Sequence, residues 1–167
     1  CPDGDGDGWS NADATWTIAD SADAFPTDSS QWADTDGDGY GDEILGMNAD
    51  VCPQVAGNSS VDRIGCTDSD GDGRSDPDAS WSTSDGADLW PIDASQSTDG
   101  DGDGFGDNPD GTNGDHCPEI SGDSNKGVLG CGDTDGDGWA DEEDAFPDLP
   151  SQWEDSDGDG WGDNQSI

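Results

Sequence analysis

Six times along this chain three aspartates stand at alternate positions and are closed by a glycine, in phrases beginning at Asp3, Asp34, Asp68, Asp99, Asp133 and Asp155. Three carboxylates within five residues repel one another, and taking them out of water adds a desolvation cost. A chain that repeats the cluster six times does not fold against that repulsion unless cations sit among the carboxylates.

Composition sharpens the point. Of 167 residues 43 are acidic and 3 basic, a formal charge of −40, which excludes nucleic acid and anionic membranes as partners. Only 27% of residues are hydrophobic and 27 are glycine, and the aliphatics recur with neither a helical nor a strand period. No ordinary core can form, and by composition the chain reads as disordered. Eight tryptophans and a strict repeat argue for order instead, of the kind that metal binding brings. No run of about twenty apolar residues is present, so no membrane insertion is expected. The chain opens at Cys1 without an initiator methionine or signal peptide, and reads as a processed chain or a window of a longer one.

The repeat is 65 residues long, since Cys1, Cys66 and Cys131 are evenly spaced, as are Cys52 and Cys117. Residues 1–65 and 66–130 are identical at 32 positions, which makes them two full units. The third, 131–167, is shortened: Trp9 to Trp32 spans 23 positions where Trp139 to Trp153 spans 14. The nine missing residues fall between two acidic phrases. Glycine density and alternating aspartates predict loops and turns, with at most one-turn helices after Pro26, Pro91 and Pro147.

A hard divalent cation takes six to eight oxygens, which a tight twelve-residue loop supplies from positions 1, 3, 5, 7, 9 and 12 around a glycine at 6. Positions 1, 3 and 5 are Asp3, Asp5 and Asp7; Asp34, Asp36 and Asp38; Asp68, Asp70 and Asp72; Asp99, Asp101 and Asp103; Asp133, Asp135 and Asp137; Asp155, Asp157 and Asp159. Position 7 gives only its carbonyl and varies freely: Trp9, Tyr40, Arg74, Phe105, Trp139 and Trp161. Position 9 is Asn11, Asp42, Asp76, Asp107, Asp141 or Asp163, and position 12 is acidic only at Asp110 and Asp144. Acids at matching offsets, Asp20 and Asp23 with Asp85 and Asp88, and Asp50 with Asp115, are candidates to complete the shells. The donor set suits Ca2+, at one to two ions per loop. Magnesium prefers a stricter octahedron with retained waters, and zinc prefers clustered His and Cys. A solvated acidic spacer is the competing reading, but a random acidic chain does not keep glycine at position 6 in all six phrases.

This grammar resembles the thrombospondin type 3 repeat, in which calcium loops are joined to a CP segment and a following cysteine. Residues 133–144 and 99–110 match its acidic pattern throughout, and the resemblance covers essentially the whole chain. It implies an irregular calcium-organised wire with little regular secondary structure, stapled by disulfides, as in bacterial and archaeal surface proteins. The chain departs from the pattern in lacking the acid at position 12 in four copies and in carrying tryptophan-rich inserts.

The cysteine spacing suggests a disulfide ladder, Cys52–Cys66 and Cys117–Cys131, which places the chain in an oxidising extracellular or cell-surface setting. By the same spacing Cys1 pairs with a cysteine outside the chain. The tryptophans either shield the metal line or join neighbouring chains, with carbohydrate stacking as a third role. Asn58 and Asn164 sit in glycosylation acceptor triplets, and His116, the only histidine, is expected to face solvent. One histidine, no CxxC pair and no phosphate loop leave no catalytic constellation, so an enzyme is not expected. The leading expectation is a calcium-stabilised fibre or rigid surface stalk, self-associating or continuing a longer repeat array. The alternatives are a calcium-dependent adhesion or ligand-binding module, with residues 14–22 and 79–87 as its variable loops, and a docking module, which the glycine and proline content disfavours.

Overall fold

The structure, a computed structural model, describes residues 2–163. Regular secondary structure among them is confined to two one-turn 3-10 helices, Ile18–Asp20 and Thr83–Asp85, and four isolated bridges. Both turns precede the proline segments rather than follow them. Thr17 and Ser82 open them as caps whose side chains and amides meet Asp20 and Asp85. After Pro26, Pro91 and Pro147 the chain makes turns, not helices; Leu149 N, for example, donates to Phe146 O at 2.8 Å. An Asx arrangement at Asp28 and Asp93, each accepting from the amide and hydroxyl of the serine two residues on, competes there with helix.

The chain divides into two compact units, Cys1–Ile92 and Asp93–Ile167. The first carries the loops that begin at Asp3, Asp34 and Asp68 and the disulfide Cys52–Cys66; the second carries those at Asp99, Asp133 and Asp155 and the disulfide Cys117–Cys131.

What is buried is polar. Ala22, Cys66, Ala87, Cys131 and Ala140 are the buried apolar residues, whereas Asp23, Gln31, Asp50, Ser59, Asp68, Ser75, Asp88, Gln96, Asp115, Ser124 and Asp144 are all buried too. Large aliphatics stay outside: Leu45 is 97% exposed and Ile92 91%. Hydrophobic burial therefore contributes little to cohesion here, and carboxylates, amides and hydroxyls take the interior.

Each acidic phrase makes the same turn for the same reason. The glycines at positions 4 and 6 both hold positive φ, 85° and 98° at Gly6 and Gly8, with the same pairing in the other five loops. A side chain there would cost roughly 1–2 kcal/mol. This turn aims the position 4 and 6 amides at the two oxygens of the first aspartate: Gly6 N donates to Asp3 Oδ1 at 2.7 Å and Gly8 N to Asp3 Oδ2 at 3.2 Å, repeated through Asp155. The position 9 amide closes the loop onto the carbonyl just before it, as in Asn11 N to Pro2 O and Asp163 N to Glu154 O, both 2.8 Å.

Between loops the chain is held by buried polar side chains. Gln31 Nε2 donates to the carbonyls of Glu43 and Met47 while its Oε1 accepts from Glu43 N, and Gln96 does the same with Asn108 and Thr112. In each cysteine-bounded segment a buried serine, Ser59 or Ser124, accepts from the amide of Cys66 or Cys131 and donates to a carbonyl four residues on.

Candidate metal centres

Within each of five triplets, Asp3–Asp5–Asp7, Asp34–Asp36–Asp38, Asp68–Asp70–Asp72, Asp99–Asp101–Asp103 and Asp133–Asp135–Asp137, one carboxylate oxygen from each member lies within 4.8 Å of the others. These triplets can hold a metal ion. The sixth phrase, Asp155, Asp157 and Asp159, makes the same internal hydrogen bonds.

A fourth carboxylate joins each of the five triplets from further along the chain. Asp23, Asp50, Asp88, Asp115 and Asp144 are all buried, from 0% exposed at Asp88 to 8% at Asp144. Each donates its amide to the carbonyl of loop position 8, namely Ser10, Gly41, Ser75, Gly106 and Ala140, at 2.7–3.0 Å. Each then spends one oxygen on the amide two residues ahead: Phe25, Cys52, Trp90, Cys117 and Phe146 donate to the Oδ1 atoms at 2.6–2.8 Å. The second oxygen of Asp23, Asp50, Asp88 and Asp115 is buried without a hydrogen-bond partner, as are those of Asp5, Asp7, Asp36, Asp101, Asp135 and Asp137. Ionised carboxylate oxygens only accept, and a native interior leaves few such atoms unpaired.

The electrostatics agree. Burial first, and the nearby triplet second, push the carboxyls of Asp50 and Asp88 up to about 6, and raise those of Asp23, Asp115 and Asp144. Burial likewise raises Asp36 and Asp101. Protein groups alone thus penalise the charged form at every centre, the setting in which a bound cation stabilises most.

Neutral oxygens are also on hand. Among the described residues no backbone amide donates to the carbonyls of Trp9, Tyr40, Arg74, Phe105, Trp139 or Trp161; their own amides donate to the position 5 carboxylates. Loops 34–42 and 99–107 receive one further closure, Gly57 N to Asp38 Oδ2 at 2.9 Å and Gly122 N to Asp103 Oδ2 at 3.0 Å. The cysteine-bounded segments thereby lie against those two centres.

Several residues expected as ligands also make local hydrogen bonds. The position 9 side chains fasten the loop: Asp42, Asp76 and Asp141 accept both the amide and the hydroxyl of Thr35, Ser69 and Thr134, while Asn11, Asp107 and Asp163 accept the amides of Gly4, Gly100 and Ser156. These bonds, the amide first, hold Asp141 and Asp163 below the usual carboxylate range. Asp20 and Asp85 are the exposed last residues of the 3-10 turns, their carboxyls lowered first by the hydroxyls of the caps Thr17 and Ser82. Asp110 is exposed. Asp144, position 12 by count, is the fourth carboxylate of its centre, equivalent to Asp23 and Asp88 across the nine-residue deletion. One signal in the sequence marks all five fourth carboxylates: each stands three residues before a proline, with Phe, Trp or Cys between, in Asp23-Ala-Phe-Pro, Asp50-Val-Cys-Pro, Asp88-Leu-Trp-Pro, Asp115-His-Cys-Pro and Asp144-Ala-Phe-Pro.

The disulfides Cys52–Cys66 and Cys117–Cys131 are formed, with Cα atoms 5.0 and 5.2 Å apart. Cys1 and Asn164 lie outside the described residues. Asn58 is exposed beside the first disulfide, and His116 is exposed with Nδ1 3.2 Å from Gly114 O. Trp9 stacks on Trp32 with centroids 5.9 Å apart, and Trp139 on Trp153 at 6.3 Å. Searches of known proteins return no matching family model and no matching curated protein.

Proposed function

We propose that the chain is a calcium-binding extracellular structural repeat protein of the thrombospondin type 3 kind, contributing to a calcium-stabilised fibre or rigid surface stalk. One observation carries the reading: at four of the centres the fourth carboxylate, itself buried, has an oxygen without a hydrogen-bond partner, and at the centres of Asp23, Asp50 and Asp115 the triplet holds such oxygens as well, on Asp5 and Asp7, on Asp36 and on Asp101. Three or four carboxylates with a peptide carbonyl make an all-oxygen set that a flexible, high-coordination cation accepts, and that a soft metal does not. Calcium then supplies the cohesion that the missing hydrophobic core does not. A stalk or fibre follows from repetition, since each 65-residue unit brings its own ion sites and each disulfide joins one unit to the next. The two disulfides fit an oxidising location, and no helix among the described residues is long and apolar enough to cross a membrane.

The test is calcium titration of the metal-depleted chain, followed by limited proteolysis with and without chelator. At least five ions per chain, one for each triplet with a fourth carboxylate, and protection from protease only in calcium are expected. Identical digestion patterns in the two buffers would sink the reading. Electron microscopy of the same samples separates fibres from isolated rods.

A further inference from the structure

Loops 3–11, 68–76 and 133–141 occupy the same place in the repeat, yet only two of them are covered. Over loop 68–76 lies the cysteine-bounded segment 52–66. The amides of Ser60 and Val61 both donate to Gly73 O at 2.8 Å, and the Val61 side chain fills the space beside the Gly73 Cα. Arg63 stands 5.7 Å from the Trp81 ring centroid and pairs with Asp78 at 2.6 Å. Over loop 133–141 lies the segment 117–131. There the amides of Asn125 and Lys126 donate to Gly138 O at 2.9 Å, Lys126 Nζ donates to the Asp137 carbonyl, and the same ammonium stands 5.6 Å from the Trp153 ring.

Loop 3–11 has the matching acceptors without a cover. Among the described residues no backbone amide donates to Gly8 O, and nothing stands within 4 Å of where a side chain on Gly8 would begin. The stacked pair Trp9–Trp32, counterpart of Trp139–Trp153, borders a cleft of about 480 Å3 that Ile18, Ala22, Asp34 and Thr35 also line. Trp9 is 41% exposed and Ile18 54%.

We propose that loop 3–11 is a docking face for the cysteine-bounded segment of a neighbouring repeat, of the 117–131 type. Such a segment adds two backbone amides to the Gly8 carbonyl and sets a lysine or arginine over the Trp9–Trp32 pair. The occupant is identified by the chain's own usage: both covered loops receive two successive amides on the same glycine carbonyl and a cation on a neighbouring indole. Charge favours it as well, because an acidic cleft beside aromatic faces attracts a basic side chain. The inference stands on backbone geometry and holds whichever cation fills the loops.

The experiment grafts a copy of residues 117–130 directly ahead of Cys1 in the full chain, so that a cysteine precedes Cys1 by the usual 14 positions. The chain carries 5-fluorotryptophan, with Trp9 and Trp32 assigned through Trp9→Phe and Trp32→Phe. In calcium, both resonances are expected to lose most of their response to a soluble paramagnetic quencher. A graft carrying Lys126→Glu in its copy is expected to restore much of the Trp32 response while mass spectrometry still finds the new disulfide. Rings as accessible in the grafted chain as in the parent, at unchanged calcium stoichiometry, overturn the proposal. So does ring protection in the ungrafted parent that grows with protein concentration, which assigns the face to a second copy of the chain. A failure of calcium binding appears separately, in the stoichiometry.

Discussion

The centres at loops 34–42 and 68–76 share an inner arrangement and differ in how the fourth carboxylate arrives. At 34–42 the chain makes a short excursion to Asp50, held by Gln31 and finished by the Cys52–Cys66 disulfide, whose segment also donates Gly57 N to Asp38. At 68–76 it makes a longer excursion through the 3-10 turn Thr83–Asp85 to Asp88, with no disulfide in the path. Both end in one bond, an aspartate amide on the position 8 carbonyl, with the carboxylate turned inward. The lesson is that the repeat preserves an anchor and not a path. The third unit extends it: with nine residues fewer, Asp144 still bonds Ala140 O at 2.9 Å.

The largest effect expected is from removing calcium, which abolishes both kinds of centre. Small-angle scattering in excess chelator should show an expanded coil, because the −40 charge then acts without compensation inside one molecule; an unchanged radius would show that neither path needs the ion. Next comes the disulfide. Cys52→Ser with Cys66→Ser should cost about 3 kcal/mol, the loop-closure value for some 15 residues. Hydrogen exchange should place the loss at loop 34–42 more than at the centre served by Asp88; equal loosening of both would erase the distinction between paths.

Single carboxylates should separate the centres individually. Asp50→Asn and Asp88→Asn, titrated with calcium, should each lose one ion per chain and leave the rest, since the anchor is alike in the two. The metal-free chain offers a pH test of the same pair. Their folded carboxyls lie near 6 against an ordinary 3.8; a raised pKa means the folded state binds the proton more tightly than the unfolded one. This contribution is full below about 3.8 and is lost as pH rises through about 6. The metal-depleted chain should therefore become more compact on acidification from pH 7 to pH 4, as read by hydrodynamic radius, while Asp50→Asn with Asp88→Asn flattens that response. Smallest of all should be deletion of residues 12–20 from the first unit, which copies the third unit's shortening. Calcium stoichiometry should not change, and loss of an ion would show that the path matters after all.

Much of this was legible in the sequence because it is local. Asp triplets, the turn glycine and the 14-residue cysteine spacing each act within a few residues, and the cysteines pair as their spacing implies. The second turn glycine, at position 4, is equally constant but carries no weight in a template built on position 6. The fourth carboxylates could be named from their matching offsets, Asp23 with Asp88 and Asp50 with Asp115, and Asp144 from position 12, but their common role was less legible, because the distance from the first aspartate is 20, 16 or 11 residues. Position 9 reads as a ligand by count; what the count does not show is that an Asp there also accepts a nearby Thr or Ser amide and hydroxyl, as Asp42 does from Thr35. The 3-10 turns escaped because Thr17 and Ser82 cap them without any apolar periodicity to announce them.

The position 8 bond has a further consequence for how such a chain can change over time. A segment tied at both ends to a loop it does not build can be lengthened, shortened or rewritten while the ion sites persist. The excursions 12–20 and 77–85 are thus exchangeable panels on a fixed frame, and foreign epitopes or enzyme tags spliced there would be displayed at regular intervals along it.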